Sequence, residues 1–564
     1  MENQRPFLII ALLAVSAVLY SKWIDFTNPQ QSLNQPSIAE QAINDSGIPS
    51  TPSAVDLSTV PTTPSDTSTE LTDVPDPSSQ QVTAELITVT TDLIIAKINP
   101  IGGVIERIEL KAEPISLDQP EIGFPLLKKS GREIFVAEDG LLANSHKAPN
   151  HAGTAYQYSN KIYDLGGADS VTVPLRWVSE DGIQYTKNIV FNRDSYVVDI
   201  NYDVVNTSSK AWTGFTYAQF SSTELVKKGG GFGQLPSYTG GAIYTPENKY
   251  EKIDYKDMAN EPLKLNIESG WVAMLQHYFV GAWLPNNGEK KQIYSGVKNK
   301  DTNPLYRLGY KSLAPVKIDA GQTGSLSNRV YLGSKEQKRL KRIQKENNIK
   351  GLALTVDYGW LTFIADPLFV VLSWIHSVVQ NWGWAIIILT LLIKLAFYPL
   401  SAASYRSMAG MRKLSPRIQT LKERYKDDRQ KFQMEMMALY KKEKINPAGG
   451  CLPILVQIPV FIALYWVLLE SVEMRQAPFA LWWKDLSAPD PTFILPVLMG
   501  ASMWLQQKLN PAPMDDIQKK VFQIMPIALT FLFLTFPQGL VLYWVVNNIL
   551  SMAQQWFIYR QMET

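Results

Sequence analysis

Residues 383–403 hold one charged side chain, Lys394, in a run that is otherwise apolar. Lys394 lies about twelve residues from Trp382 on one side and from Arg406 on the other. At a rise of about 1.5 Å per residue, that is ~18 Å from either end of a continuous helix. The hydrocarbon core of a bilayer is about 30 Å thick, so a helix of this length would hold the lysine near the middle. An ammonium there costs at least about 2.5–3.5 kcal/mol unless it meets water or a partner. The rest of the chain is therefore expected to supply a wet place for it.

The mean hydropathy of −0.08 hides a split. Residues 24–350 read as soluble and 360–560 as mostly apolar, and twelve of the 15 tryptophans lie at or beyond Trp271. A net charge of +2 gives no global field for nucleic acid, so DNA is not an expected partner. The single cysteine, Cys451, permits no internal disulfide; within its apolar segment it reads as a small core residue.

Residues 1–23 carry an apolar run that ends in Lys22-Trp23, an interfacial pair. A retained transmembrane anchor is favoured over a cleaved signal peptide, although Val15-Ser16-Ala17 could serve as a cleavage site. Residues 24–84 are rich in Ser, Thr, Pro, Gln and Asp, too poor in apolar surface to offset chain entropy, and read as a disordered tether.

Residues 85–350 change character. β-branched and alternating runs recur at Leu93–Ile98, Val104–Leu110, Ser170–Val178, Tyr196–Val205 and Trp271–Val280, punctuated by turn residues such as Pro100-Ile-Gly-Gly. Many short strands in ~250 residues imply a large β-sandwich-like domain. The charged stretch 334–350, with Leu340 and Ile343 at helical spacing, reads as a helix that closes it. Gly229-Gly-Gly-Phe-Gly lacks the Lys-Ser/Thr of a phosphate loop and reads as a flexible loop. His277 has no His, Cys or acidic residue at ligand spacing, so no metal site is expected.

Within residues 351–381 the apolar run 360–379 is long enough to span a membrane, but Asp366-Pro367 interrupts it and only Gln380-Asn381 separates it from the next. An amphipathic helix lying in the membrane interface fits better. Residues 382–564 read as five membrane helices, the first ending near 403, with a helical hairpin at 404–446. From Arg406 to Asn446 there are twelve Lys/Arg against five Asp/Glu, a net +7, which places this loop in the cytoplasm and the β-domain outside. Met408, Met411, Leu414, Ile418 and Leu421, and then Phe432, Met436, Leu439 and Tyr440, mark two apolar stripes with a break at Asp427-Asp428. Arg406, Arg412, Lys413, Arg417, Lys422 and Arg424 leave the outer face basic. These charges either solvate the hairpin and set topology, or also receive an anionic partner such as ribosomal RNA or lipid headgroups.

The later spans are interrupted by Pro453, Pro459, Pro496 and Pro526 and carry Gln457, Gln506, Thr530, Asn547, Asn548 and Gln554. Proline frees backbone carbonyls that need protein or water partners, so these spans suggest a water-containing cavity around Lys394.

Specific motifs lie along the same segments: Asn381-Trp-Gly-Trp-Ala-Ile-Ile, Tyr398-Pro-Leu, Asn446-Pro-Ala-Gly-Gly-Cys-Leu-Pro, Gln457-Ile-Pro-Val-Phe-Ile-Ala-Leu-Tyr and Gly539-Leu-Val-Leu-Tyr-Trp-Val-Val-Asn-Asn. With the order of parts, they make the chain closely resemble the YidC membrane insertases, relatives of the mitochondrial and chloroplast insertases. The resemblance covers nearly the whole chain. It implies a multi-domain membrane protein of the bacterial inner membrane. Its expected parts are an α-helical polytopic core, with six transmembrane helices in total and five in the core, a periplasmic all-β super-sandwich-like domain, and a cytoplasmic helical hairpin. It also implies a groove open to cytoplasm and lipid. There the family's positive residue, at Lys394 here, receives hydrophilic parts of nascent membrane proteins, alone or with a Sec-type translocon. The family usually has arginine at this position; lysine keeps the charge but not the planar fork. Thr390, Tyr398, Gln457, Tyr543, Trp544 and Asn547 are the other expected groove residues, with Tyr543 and Trp544 matching the aromatic substrate slide. Only about five residues follow the last span, so a ribosome contact is expected at the hairpin.

No covalent chemistry, cofactor or nucleotide is expected. Two other readings remain open: a small-solute transporter with Lys394 as an anion site, and a membrane-anchored binding or chaperone module whose active part is the β-domain.

Overall fold

The computed structural model describes residues 75, 84–144, 146–224, 237–426, 428–443, 452–509 and 516–563. The expected anchor, nearly all of the tether, the loop at 229–233 and Cys451 lie outside the described residues.

Among the described residues between Ile87 and Ser334, nineteen strands form two sheets, of eleven and eight strands. Ile87–Thr90, Ile94–Asn99, Val104–Ser116, Gln119–Ser130 and Glu133–Ala143 stand side by side in chain order, as short connections favour. Gly102 and Gly103 make one of these turns at φ of 78° and 62°, and a Cβ on Gly102 would lie 2.2 Å from the His151 carbonyl oxygen. That position needs glycine for both conformation and space.

Strands covered on one face keep a period of two: Ile94, Ala96 and Ile98 are buried and their neighbours are not. Trp212–Ser222, paired with Glu133–Ala143 and Leu305–Ser312, is buried at every position but Thr213, so alternation disappears. Trp212, Trp271, Trp283, Tyr185 and Tyr202 fill the space between layers. Two charges are enclosed with them. Lys187 Nζ lies 2.7 Å from Asp139 Oδ1 and donates to the Gly103 carbonyl at 2.8 Å, and the Tyr202 hydroxyl donates to Asp139 Oδ2 at 2.7 Å. Every strong polar group of this pair has a partner, as burial demands.

The run expected as one strand at Trp271–Val280 is instead two strands, Trp271–Leu275 and Phe279–Trp283, which pair antiparallel. Gln276, His277 and Tyr278 form the turn, a break that apolar periodicity does not signal.

Ten helices are described: α1 (Tyr255–Asn260), α2 (Gln337–Glu346), α3 (Thr362–Val379), α4 (Trp382–Ala396), α5 (Tyr398–Arg424), α6 (Arg429–Lys442), α7 (Leu452–Glu470), α8 (Ile494–Leu509), α9 (Asp516–Phe533) and α10 (Gln538–Glu563). α2 buries Leu340 and Ile343 against the β-domain. α5 and α6 pack through Leu414, Ile418, Met436 and Tyr440, with Met411, Phe432 and Leu439 beside them.

Two expectations change. The chain does not break at Asp366-Pro367: α3 runs through it with Pro367 inside. Pro367 lies in the second turn, so only the Phe363 carbonyl loses its ordinary partner. Residues 359–379 are also the one described helix long and apolar enough to cross a membrane by itself. The run 383–403 is not one straight helix. It bends by 68° between α4 and α5. Pro399 stands at the start of α5, where its missing N–H costs nothing; inside a straight helix its ring would strike the Leu395 carbonyl. The helical bundle and the β-sandwich therefore stand, while the count of six spans does not follow from helix length and composition among the described residues.

The β-domain sits on the bundle through the end of α7. Glu470 is buried, with Oε2 3.7 Å from Lys335 Nζ and Oε1 3.9 Å from His277 Nε2. Beyond it, the Arg475 guanidinium donates to the Pro114 carbonyl at 2.5 Å and pairs with Glu113 at 3.3 Å. Its charge also lies 5.6 and 5.5 Å from the Phe124 and Phe279 rings. His277, whose ring nitrogen also meets the Leu469 carbonyl at 3.0 Å, is part of this junction.

Candidate functional site

Lys394 falls in the last turn of α4 because the chain bends just after it. The bend changes its energetics: a cation at a helix C-terminus meets unsatisfied carbonyls and the favourable end of the dipole, ~0.3–1 kcal/mol where exposed and more where partly buried. It remains only 6% exposed. Its Nζ donates to the Ser551 hydroxyl at 2.7 Å, and Ser551 donates onward to the Asn547 carbonyl at 2.7 Å. Among the described residues no carboxylate lies within ion-pair distance of Lys394.

The ammonium borders an open cavity of about 400 Å³. α5 contributes Ser401, Ser404, Tyr405 and Met408, and α7 contributes Gln457, Ile458 and Phe461. α8 adds Met503, Gln506 and Gln507, α9 adds Phe522, Met525 and Leu529, and α10 adds Tyr543, Trp544, Asn547, Asn548 and Ser551. One side is amide and hydroxyl, the other aromatic and aliphatic. Gln457 Nε2 donates to Asn547 Oδ1 at 2.6 Å, tying α7 to α10, and Asn548 Nδ2 donates to Ser502 Oγ at 3.0 Å, tying α10 to α8. Phe461 meets the Trp544 ring edge-on with centroids 4.4 Å apart. The Gln507 amide nitrogen has no partner among the described residues, so water in the cavity is its natural acceptor.

Of the expected groove residues, the structure gathers Lys394, Gln457, Tyr543, Trp544 and Asn547 around this cavity. Thr390 and Tyr398 are not among its walls. Thr390 is buried one turn before Lys394, with its hydroxyl donated to the Ile386 carbonyl at 2.6 Å. Tyr398 lies past the bend, at the first residue of α5. Ser551, the lysine's partner, is not among the expected groove residues. The available signal is its position four residues after Asn547 and eight after Tyr543, on the same helical face.

Arg406, Arg412, Lys413, Arg417, Lys422 and Arg424 are all exposed on α5. Arg417 pairs with Glu443 at 2.9 Å. That ion pair between exposed side chains adds little stability, ~0–1 kcal/mol.

Comparison with known proteins gives the same assignment by an independent route. Residues 86–371 match the family described as YidC periplasmic domain, and residues 374–564 the family described as 60Kd inner membrane protein. The membrane protein insertase YidC of Thioalkalivibrio sulfidiphilus is 44% identical over 571 residues, covering 100% of this chain and 99% of the relative. That of Azotobacter vinelandii is 44% identical over 576 residues, with the same coverages. The chain is also similar to an active YidC insertase whose crystal structure resolves the first transmembrane domain, at 19% identity and a TM-score of 0.38, covering 84% of this chain and 92% of that one. This chain belongs to the YidC family of membrane protein insertases.

Proposed function

We propose that this chain is a membrane protein insertase that receives hydrophilic segments of nascent membrane proteins in the cavity beside Lys394. One observation carries the reading: a buried ammonium has a hydroxyl for its partner and, among the described residues, no carboxylate. A fixed carboxylate would neutralise it; a hydroxyl leaves charge for a passing group. The polar wall would hydrate a short segment, and the Phe461–Trp544 side would let the substrate's apolar helix pass to lipid. The barrier falls because the segment crosses only part of the hydrocarbon thickness in a dry state.

The same reading places the protein in the inner membrane with the β-domain in the periplasm. The α5–α6 pair and both termini are cytoplasmic and the anchor at 1–23 is retained; α3, although long enough to span, lies in the interface, because only Gln380 and Asn381 separate it from α4. The basic face of α5 supports the cytoplasmic side. It is also the surface offered to a ribosome, and a Sec-type translocon is the second partner.

The test is insertion into proteoliposomes of a substrate with an acidic translocated tail. Lys394→Glu is expected to impair insertion and Lys394→Arg to preserve it. Equal insertion by the unsubstituted chain and both variants overturns the charge role.

A further inference from the structure

The β-domain exposes few large apolar side chains: Ile115, Leu117, Ile122, Ile162 and Val178 among the described residues up to Ser334. Three of these five lie within eight residues, at 42%, 45% and 45% exposure for Ile115, Leu117 and Ile122. They sit at the end of the hairpin formed by Val104–Ser116 and Gln119–Ser130, whose last pair is Ser116 with Gln119. Ile115 is the second-last residue of the first strand, and Leu117 lies in the two-residue turn, Leu117-Asp118, that follows it.

The stem of this hairpin is fixed to the bundle. The Pro114 carbonyl, one residue before Ile115, accepts from Arg475 at 2.5 Å and from Gln476 at 3.1 Å. Gln476 opens a loop closed by the Leu486 N–H on the Ala477 carbonyl, with Leu481 and Trp482 exposed at 76% and 42%. Leu481 adopts a positive φ of 56°, uncommon for a bulky residue. Phe479 of this loop meets Trp384 at the start of α4, with ring centroids 5.7 Å apart, and a Cβ on Gly383 would overlap its ring. The apolar course of α4 begins at this point; with α4 taken as a span, as proposed above, the bilayer boundary would run here, where tryptophans favour the headgroup level. Leu117 lies three residues beyond Pro114, so chain reach keeps it within ~11 Å.

We propose that the tip at Ile115, Leu117 and Ile122 enters the headgroup–acyl boundary of the leaflet on the β-domain's side. It would act there with Leu481 and Trp482 as a second membrane contact for the soluble domain. Asp118 and Glu121 are exposed on the same tip, so attraction to anionic lipid is not the driving force. The ligand is the apolar boundary itself. Such a contact would hold the sandwich at a fixed height over the bundle. It is independent of the reading of Lys394.

The test uses the full chain in phosphatidylethanolamine–phosphatidylglycerol vesicles. Leu117→Cys and, as control, Ile162→Cys are labelled with an environment-sensitive dye, with the unsubstituted chain labelled at Cys451 as the blank. Lipids carrying a doxyl quencher near the headgroup end of the chain are expected to lower emission at 117 at least twofold and to leave 162 unchanged. Full quenching of the 117 dye by aqueous iodide, with none by doxyl lipid, overturns the proposal. Shielding from both also overturns it, since protein rather than lipid then covers the tip. Insertion assayed on the same vesicles reads the Lys394 proposal separately.

Discussion

Lys394 Nζ and Ser551 Oγ meet at 2.7 Å across 157 residues of sequence, joining the last turn of α4 to α10. Ser551 gives its proton to the Asn547 carbonyl and so presents a lone pair to the ammonium. A hydrogen bond to a charged group contributes about 1.5–3 kcal/mol. Ser551→Ala is expected to slow insertion of a substrate with an acidic tail roughly tenfold, the low end of that range. Ser551→Thr is expected to retain the rate. Initial rates in proteoliposomes check both, and a full rate in Ser551→Ala would mean the hydroxyl does not position the lysine.

The pair Lys187–Asp139 is enclosed in the β-domain, at 0% and 1% side-chain exposure. Removing one partner leaves the other buried and unpaired, at a cost of about 3–5 kcal/mol. Asp139→Ala is therefore expected to unfold the domain at much lower denaturant. The double change Lys187→Met with Asp139→Leu is expected to recover most of the loss. Urea unfolding followed by tryptophan fluorescence of the full chain in detergent distinguishes them.

Glu473 makes the junction sensitive to pH. Burial pushes its carboxyl up to about 7, and the nearby charges of Glu336 and Glu113 push it the same way. One oxygen accepts weakly from the Gln337 N–H at 3.3 Å, and the other has no partner among the described residues. A carboxyl raised on folding binds its proton more tightly when folded, so stability falls as pH rises from its unfolded value near 4.5 through about 7. The fall is on the order of 2–3 kcal/mol. Glu473→Gln is expected to flatten that change. Thermal midpoints at pH 5 and pH 8 measure it; an unchanged slope in the variant would assign the dependence to another group.

Gly500 of α8 lets α9 approach closely. A Cβ there would lie 2.0 Å from Thr530 Oγ1, which donates to the Pro526 carbonyl at 2.7 Å. Small residues at helix contacts permit this closeness within a membrane. Gly500→Val is expected to part α8 from α9 and reduce insertion, and adding Thr530→Gly is expected to restore part of it. Activity of the single and double variants, with yield of folded protein as control, is the measurement. Full activity in Gly500→Val would show that the contact can yield without loss.

Much of this architecture is readable from local pattern. The period-two runs at Ile94–Ile98 and Val197–Val205 are strands, and Leu414, Ile418, Met436 and Tyr440 are the residues by which α5 and α6 pack. Lys394, Gln457 and Asn547 stand out as polar groups in apolar runs, and they do meet around one cavity. Pattern fails where the decisive neighbour is distant. Thr390 and Tyr398 carry the right chemistry at the right spacing, but a hydroxyl already bonded to Ile386 and a bend before Tyr398 keep them out of the cavity's walls.

Local pattern establishes that a β-rich part precedes a set of apolar helices, that one lysine lies among them, and which family the motifs resemble. Those are properties of neighbouring residues, fixed by hydrophobic period and residue type. Packing alone places the lysine at the end of a helix rather than in its middle, brings Ser551 to it, and locks the β-domain to the bundle through Glu470 and Arg475. Each depends on which surfaces pack together. Contacts between groups 157 or 362 residues apart leave no periodic trace in the chain.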